Sequence, residues 1–184
     1  MTTEEAPSPR VPIVVAAVDV HYGVNGGATA ALVTYADLEC SMPLTERVVD
    51  VVDVAPYEPG ALFKRELPCI LAVLEGTSKP SLLVVDGYAT LDAAGRPGLG
   101  AHASAALGVP VIGVAKTPFR TATHASTVTR GRSTRPLYVT AAGGLDSDGA
   151  ARIVAGMSGD HRIPTALARV DRLARRLGQP VAHA

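Results

Sequence analysis

Three short aliphatic runs, each closed by a charged residue, constrain the fold of this chain more than any other feature. Ile13-Val14-Val15-Ala16-Ala17-Val18 stops at Asp19, Leu82-Leu83-Val84-Val85 stops at Asp86, and Pro110-Val111-Ile112-Gly113-Val114-Ala115 stops at Lys116. Runs of this length without polar alternation are strands covered on both faces. Such strands need helices on either side of a sheet. In open α/β sheets the ligand crevice lies beyond the carboxyl ends of the strands, which is where these three charges would stand.

The remaining pattern supplies the other layers. Asn25-Gly26-Gly27 is turn chemistry, and Ala28 to Tyr35 resumes an apolar, β-branched pattern, which together predict a hairpin. Arg47 to Val54 is a third strand candidate, ended by Pro56-Tyr57-Glu58-Pro59-Gly60. Leu62, Leu67, Ile70, Leu71 and Leu74 recur at helical spacing. Pro68 lies inside that pattern and cannot donate to the Lys64 carbonyl, which predicts a kink or a late helix start near Leu67. A short helix is expected across His102 to Leu107, a short strand at Leu137 to Thr140, and two helices near Asp148 to Met157 and Pro164 to Leu177. The Thr-, Ser- and Arg-rich stretch 117–135 reads as a mobile surface excursion. The expected fold is α/β, a mixed sheet flanked by helices.

At 184 residues, 47% of them hydrophobic, the chain is sized for one domain with a substantial core. Residues 1–10 read as a disordered tail and residues 11–184 as the domain. No apolar run approaches bilayer length and no signal segment opens the chain, so a cytoplasmic protein without membrane contact is expected, as a monomer. Cys40 and Cys69 stand apart from each other and from any histidine cluster, which offers neither a disulfide framework nor a zinc motif. Net charge is zero, but it is unevenly spread: residues 1–92 carry −8 and residues 93–184 carry +8. Interleaved in one domain, such halves set an acidic site beside a basic, phosphate-binding rim.

Asp19 and Asp86, at neighbouring strand ends, can share a site. Two carboxylates held close raise each other's pKa unless a cation lies between them, and carboxylate oxygens suit Mg²⁺. Glu66 lies four residues from both Leu62 and Ile70, on the apolar face of its helix, and therefore points inward. A buried carboxylate needs a metal or a basic partner.

These residues sit in segments that resemble endonuclease V: Ala17-Val18-Asp19-Val20, the block from Pro56-Tyr57-Glu58-Pro59-Gly60 through Arg65-Glu66-Leu67-Pro68, Val84-Val85-Asp86-Gly87, and Val109 to Lys116. Weaker matches continue through Arg135 to Thr140 and Arg162-Ile163-Pro164, so the likeness runs from about Val11 to Leu173. The resemblance implies a ribonuclease H-like fold and a Mg²⁺-dependent endonuclease, with Mn²⁺ able to substitute, that acts on inosine-containing DNA or RNA. It implies that Asp19, Asp86 and Glu66 form the metal site and that Lys116 contacts the scissile phosphate. The reaction implied is attack by a metal-activated water at the second phosphodiester 3′ of inosine, leaving 3′-hydroxyl and 5′-phosphate ends. Tyr57 resembles the family's wedge beside an extruded base, with Gly60, Leu62 and Gly87 forming the base pocket.

The chain departs from the family at two places. Asp92-Ala93-Ala94 stands for a His-Pro-Arg segment, and Ala142-Gly143-Gly144 for a Gly-His-Arg segment whose His belongs to the active site. Asp146, just beyond, is the candidate to replace that group as a fourth carboxylate. These departures motivate the alternative reading, a protein of this fold that binds inosine or branched nucleic acid without efficient cleavage.

Overall fold

The computed structural model describes residues 13–23, 26–59 and 61–176. Gly60 and the 1–10 tail lie outside the described residues. The strands are β1 (Val15–Tyr22), β2 (Ala28–Tyr35), β3 (Pro43–Val51), β4 (Leu82–Asp86), β5 (Val111–Ala115), β6 (Ser126–Val128) and β7 (Leu137–Ala142). The helices are α1 (Phe63–Leu74), α2 (Leu99–Leu107), α3 (Ser147–Gly156) and α4 (Thr165–Ala174). The strands form one sheet in the order β3-β2-β1-β4-β5-β7-β6. β1, β2 and β3 make an antiparallel meander, β1, β4 and β5 run parallel, and β7 returns antiparallel on β5 with β6 at the edge. This mixed sheet between helices is the expected ribonuclease H-like α/β arrangement.

Both faces of the sheet are covered, which explains the unbroken aliphatic runs. Val15, Ala17, Val84, Ile112 and Val114 pack beneath α3 and α4, whereas Ala16, Val18, Leu83, Val85 and Val111 pack beneath α1 and α2. Side chains alternate between faces along a strand. Asp19, Asp86 and Lys116 share the parity of Ala17, Val84 and Val114, so the alternation turns all three toward the α3/α4 side, Asp86 and Lys116 at the ends of their strands and Asp19 inside β1, which runs on to Tyr22 instead of stopping at the aspartate. Register aligns them as well: Val18 pairs with Val85, and Asp86 pairs with Val114.

Two expectations are corrected. α1 begins at Phe63 and runs through Pro68 instead of starting late near Leu67. Its first turn is already closed before the proline, because Arg65 and Glu66 both donate to the Leu62 carbonyl, at 3.0 and 3.1 Å. The 117–135 stretch, expected as a mobile excursion, is tied into the fold. It contains β6, paired with β7, and the buried Arg130, whose guanidinium donates to the carbonyls of Met157, Gly159 and His161. Isolated β-propensity is weak in a three-residue strand, so only the tertiary pairing reveals it. Cys40 and Cys69 are free and buried. No helix among the described residues is long and apolar enough to cross a membrane.

Candidate active site

Asp19 lies inside β1, just past that strand's last parallel pairing with β4 at Val18, and Asp86 ends β4, while Glu66 comes over from α1 on the opposite face of the sheet. The three carboxylates line one cavity of about 10 Å³, closed by Val18, Ile70 and Leu99. Burial raises the Asp19 carboxyl to about 7, helped by the negative charges of Asp86 and Asp171 and opposed by the Val20 N–H and by Lys116. Glu66 rises to about 7 as well, through burial first and then the charges of Asp19 and Asp86, with Arg65 opposing. Lys116 forms an ion pair with Asp86 Oδ2. Burial alone pulls the Lys116 ammonium down, but its hydrogen bond to Asp86 and the surrounding carboxylates more than offset this, leaving it above its ordinary value.

Asp171 of α4 is the site residue that sequence reasoning missed. It is hydrogen-bonded to Asp19, and, although burial works the other way, Arg175, Lys116 and that hydrogen bond hold its pKa below the ordinary carboxylate range. Asp171 thus keeps its charge, which adds to the upward push on Asp19. The signal was faint in sequence, because Asp171 sits in a run of alternating arginines and reads as an ion-pairing surface residue. Asp146, the expected fourth carboxylate, is engaged elsewhere. It is the N-cap of α3, its Oδ1 accepting from the Gly149 N–H at 2.6 Å, a role that short acidic side chains fill readily at helix starts. Gly143, where the family's His-bearing segment would fall, has φ +77°, and a Cβ there would lie 2.4 Å from Ser104 Oγ and 2.7 Å from the Val109 carbonyl. No side chain fits.

A second cavity of about 290 Å³ adjoins the first and shares Glu66 and Asp86 with it. Its walls include Tyr57, Leu62, Gly87, Tyr88, Leu91 and Phe119. Tyr57 and Leu62 are exposed at its mouth. The turn that bears Tyr57 is pinned to α1 by the Lys64–Glu58 ion pair at 2.7 Å and by the Ala61 N–H donating to the Glu58 carbonyl at 3.0 Å. Tyr88 and Phe119 were not foreseen. The Tyr88 hydroxyl donates to the Thr117 carbonyl at 2.8 Å and accepts from the Phe119 N–H at 2.9 Å. Thr121 donates to the Leu91 carbonyl at 2.6 Å, Arg96 donates to Thr121 at 3.2 Å, and Thr90 meets His124 at 2.8 Å. Segments 88–96 and 117–124 are thus stitched into one wall.

An all-oxygen set of half-buried carboxylates, two of them driven toward neutrality by desolvation and by neighbouring negative charge, is chemically suited to a hard divalent cation. As they stand, no three carboxylate, thiol or imidazole groups among the described residues are gathered closely enough to enclose an ion. The Lys116 ammonium satisfies Asp86 instead. A cation at this site would require Lys116 and Asp86 to separate.

Comparison with known proteins agrees with this architecture. The sequence pattern of the endonuclease V family matches residues 1–133. Endonuclease V of Streptomyces coelicolor is 40% identical over 124 residues, covering 67% of this chain and 52% of that protein, so here the chain spans about half the length of its relative. Endonuclease V of Streptomyces avermitilis is 30% identical over 183 residues, covering 88% of this chain and 79% of that protein. The solved structure of that enzyme superposes with a TM-score of 0.75 at 28% identity over 92% of this chain and 83% of the other. Ciona intestinalis endonuclease V, solved with a DNA containing an inosine followed by a ribo-adenosine, shares the fold with a TM-score of 0.77 at 20% identity, over 90% of this chain and 85% of the other.

Proposed function

The chain belongs to the endonuclease V family, and from that premise we propose that it is a metal-dependent endonuclease that cleaves inosine-containing DNA or RNA. The observation that carries this reading is the meeting of Asp19, Glu66 and Asp86 in one cavity, with Lys116 on Asp86 and an apolar cavity alongside. Asp19, Asp86 and Glu66 would hold Mg²⁺, with Mn²⁺ able to take its place. The cation supplies Lewis-acid charge at the phosphoryl oxygens and lowers the pKa of a water.

The chain's own groups do the rest. Asp171, kept ionised by Arg175 and Lys116, stands beside Asp19 and adds its negative charge to the acidic site. Lys116 remains charged at neutral pH and, released from Asp86, offsets negative charge on the scissile phosphate. Water attacks phosphorus in line with the departing 3′-oxygen at the second phosphodiester 3′ of inosine, leaving 3′-hydroxyl and 5′-phosphate ends. The cavity bounded by Leu62, Gly87 and Phe119 receives the extruded base, with Tyr57 filling the gap in the stack.

The test is an end-labelled inosine strand, as DNA and as RNA, incubated with Mg²⁺ or Mn²⁺ beside an unmodified control. Cation-dependent cutting of the inosine strands is expected, with Asp86→Asn and Lys116→Ala each slower by about 100-fold or more. Tight binding of inosine strands with no product in either cation would replace this reading with a binding protein. Equal cutting of control strands would remove the base-recognition role.

A further inference from the structure

α4 carries a feature that the chemistry above leaves unused. At about 100° per residue, Asp171 faces the sheet with Leu167, Val170 and Ala174, whereas Thr165, Ala168, Arg169 and Arg172 form an adjoining stripe exposed to solvent. Together with His161 and Arg162 of the preceding loop, this stripe lines an open groove of about 430 Å³. Arg162 is held in place by donating to the carbonyls of Arg135, Lys116 and Pro136. Its bond to the Lys116 carbonyl joins one end of the groove to the reactive edge of the sheet. Arg169 pairs with Glu46, Arg175 with Asp171 and Arg176 with Asp50. Among the described residues the Arg172 side chain makes no ion pair.

We propose that this groove binds backbone phosphates of the same nucleic-acid strand on the 3′ side of the cut, with Arg172 as its principal contact. The proposal rests on the nuclease reading above. Its polarity follows from the layers. The base cavity opens on the side of α1 and α2, whereas α4 packs on the opposite face, with the acidic residues at the strand ends between them. A strand whose base enters the base cavity, and which is cut two phosphodiesters further 3′, leaves the acidic cluster toward α4. There it meets a row of guanidinium groups, whose planar forks match phosphate oxygens.

The proposal is tested on the full chain by fluorescence anisotropy in Ca²⁺, with a labelled inosine single strand that either stops at the second nucleotide 3′ of inosine or continues ten nucleotides further. The long strand is expected to bind at least about 10-fold tighter, with a salt slope steeper by about 0.7 per added phosphate contact. Arg172→Glu is expected to erase the difference between long and short strands, and Arg172→Lys to retain most of it. Extension on the 5′ side should be indifferent to Arg172. If Arg172→Glu still binds the long strand preferentially, or if its loss tracks 5′ length instead, the groove is not the 3′ phosphate track. Inorganic phosphate at millimolar concentration that abolishes the Arg172-dependent gain without weakening the short strand would identify a small-anion site and overturn the proposal. Cleavage is scored separately on the same strands in Mg²⁺: length-dependent binding without product leaves the groove standing and removes the nuclease, whereas product without length dependence does the reverse.

Discussion

Desolvation pushes the Asp19 and Glu66 carboxyl groups up to about 7, and the loss of each proton has a definite sign. Unfolded, they titrate near the ordinary 3.8 and 4.5; folded, each titrates at about 7. Between those values the unfolded chain releases protons that the folded one keeps. In the absence of metal their contribution is therefore fully present below about pH 4, is lost as pH rises through about 7, and stays lost above it. Asp37 and Asp50, hydrogen-bonded and shifted downward, act at the acid end, outside this window. Urea denaturation in EDTA should show wild type weakening between pH 5 and pH 8, with Glu66→Gln flatter and more stable than wild type at pH 8 by ~1–3 kcal/mol. Level wild-type stability across that range would contradict the burial of these groups. A divalent cation should reverse the loss, raising Tm more at pH 8 than at pH 5.5. Cleavage at subsaturating Mg²⁺ should likewise climb through neutral pH as protons leave the site.

Among the elements, β5 and the segment after β4 are set against each other with no spare room. A Cβ at Gly113 would lie 2.3 Å from the Ala89 nitrogen and 2.7 Å from the Gly87 carbonyl, in a place where the Ala89 N–H also donates to the buried Thr140 hydroxyl at 2.8 Å. Gly113→Ala must push this segment off the sheet. It should cost about 1–3 kcal/mol by overpacking and impair cleavage by displacing Gly87, whereas Gly156→Ala, where a Cβ meets nothing within 4 Å, should leave both stability and cleavage unharmed. Calorimetry and rate measurements on the two variants check this. The Arg130 anchor makes a parallel case. Arg130→Met leaves three carbonyls without their charged donor and should destabilise the fold by about 2–4 kcal/mol, read as a lower urea midpoint. The sequence showed β1, β4 and β5 through their aliphatic runs, because a buried strand must be apolar on both faces. It did not show β6, whose three residues carry no pattern of their own, nor the role of Arg130, which depends on carbonyls some thirty residues away.

For the molecule as a whole, the acidic first half and basic second half do interleave. β3 contributes Glu46 and Asp50, and the C-terminal helix region answers with Arg169 and Arg176. These pairs are exposed and of the kind worth less than about 1 kcal/mol, so Glu46→Gln should barely move Tm. It should instead release Arg169 and tighten strand binding, as an anisotropy titration would show; weaker binding would count against the arginine groove. The central trio was legible because each carboxylate closes a readable aliphatic run or lies on the apolar face of its helix, although β1 itself runs on past Asp19 to Tyr22. Asp171 and Phe119 were not. One is hidden among surface-like arginines and the other in a segment without periodicity, and both become site residues only when α4 and the loop after β5 fold back over the strand ends.

The five hydrogen bonds that join segments 88–96 and 117–124 bear on anyone who rebuilds this protein. Transplanting a His-Pro-Arg stretch from a family member into positions 92–94 would alter one partner of a matched pair and strand the other, with Thr121 and His124 reaching for acceptors and donors that had moved. The two stretches form a single exchangeable module: they should be swapped together or left alone.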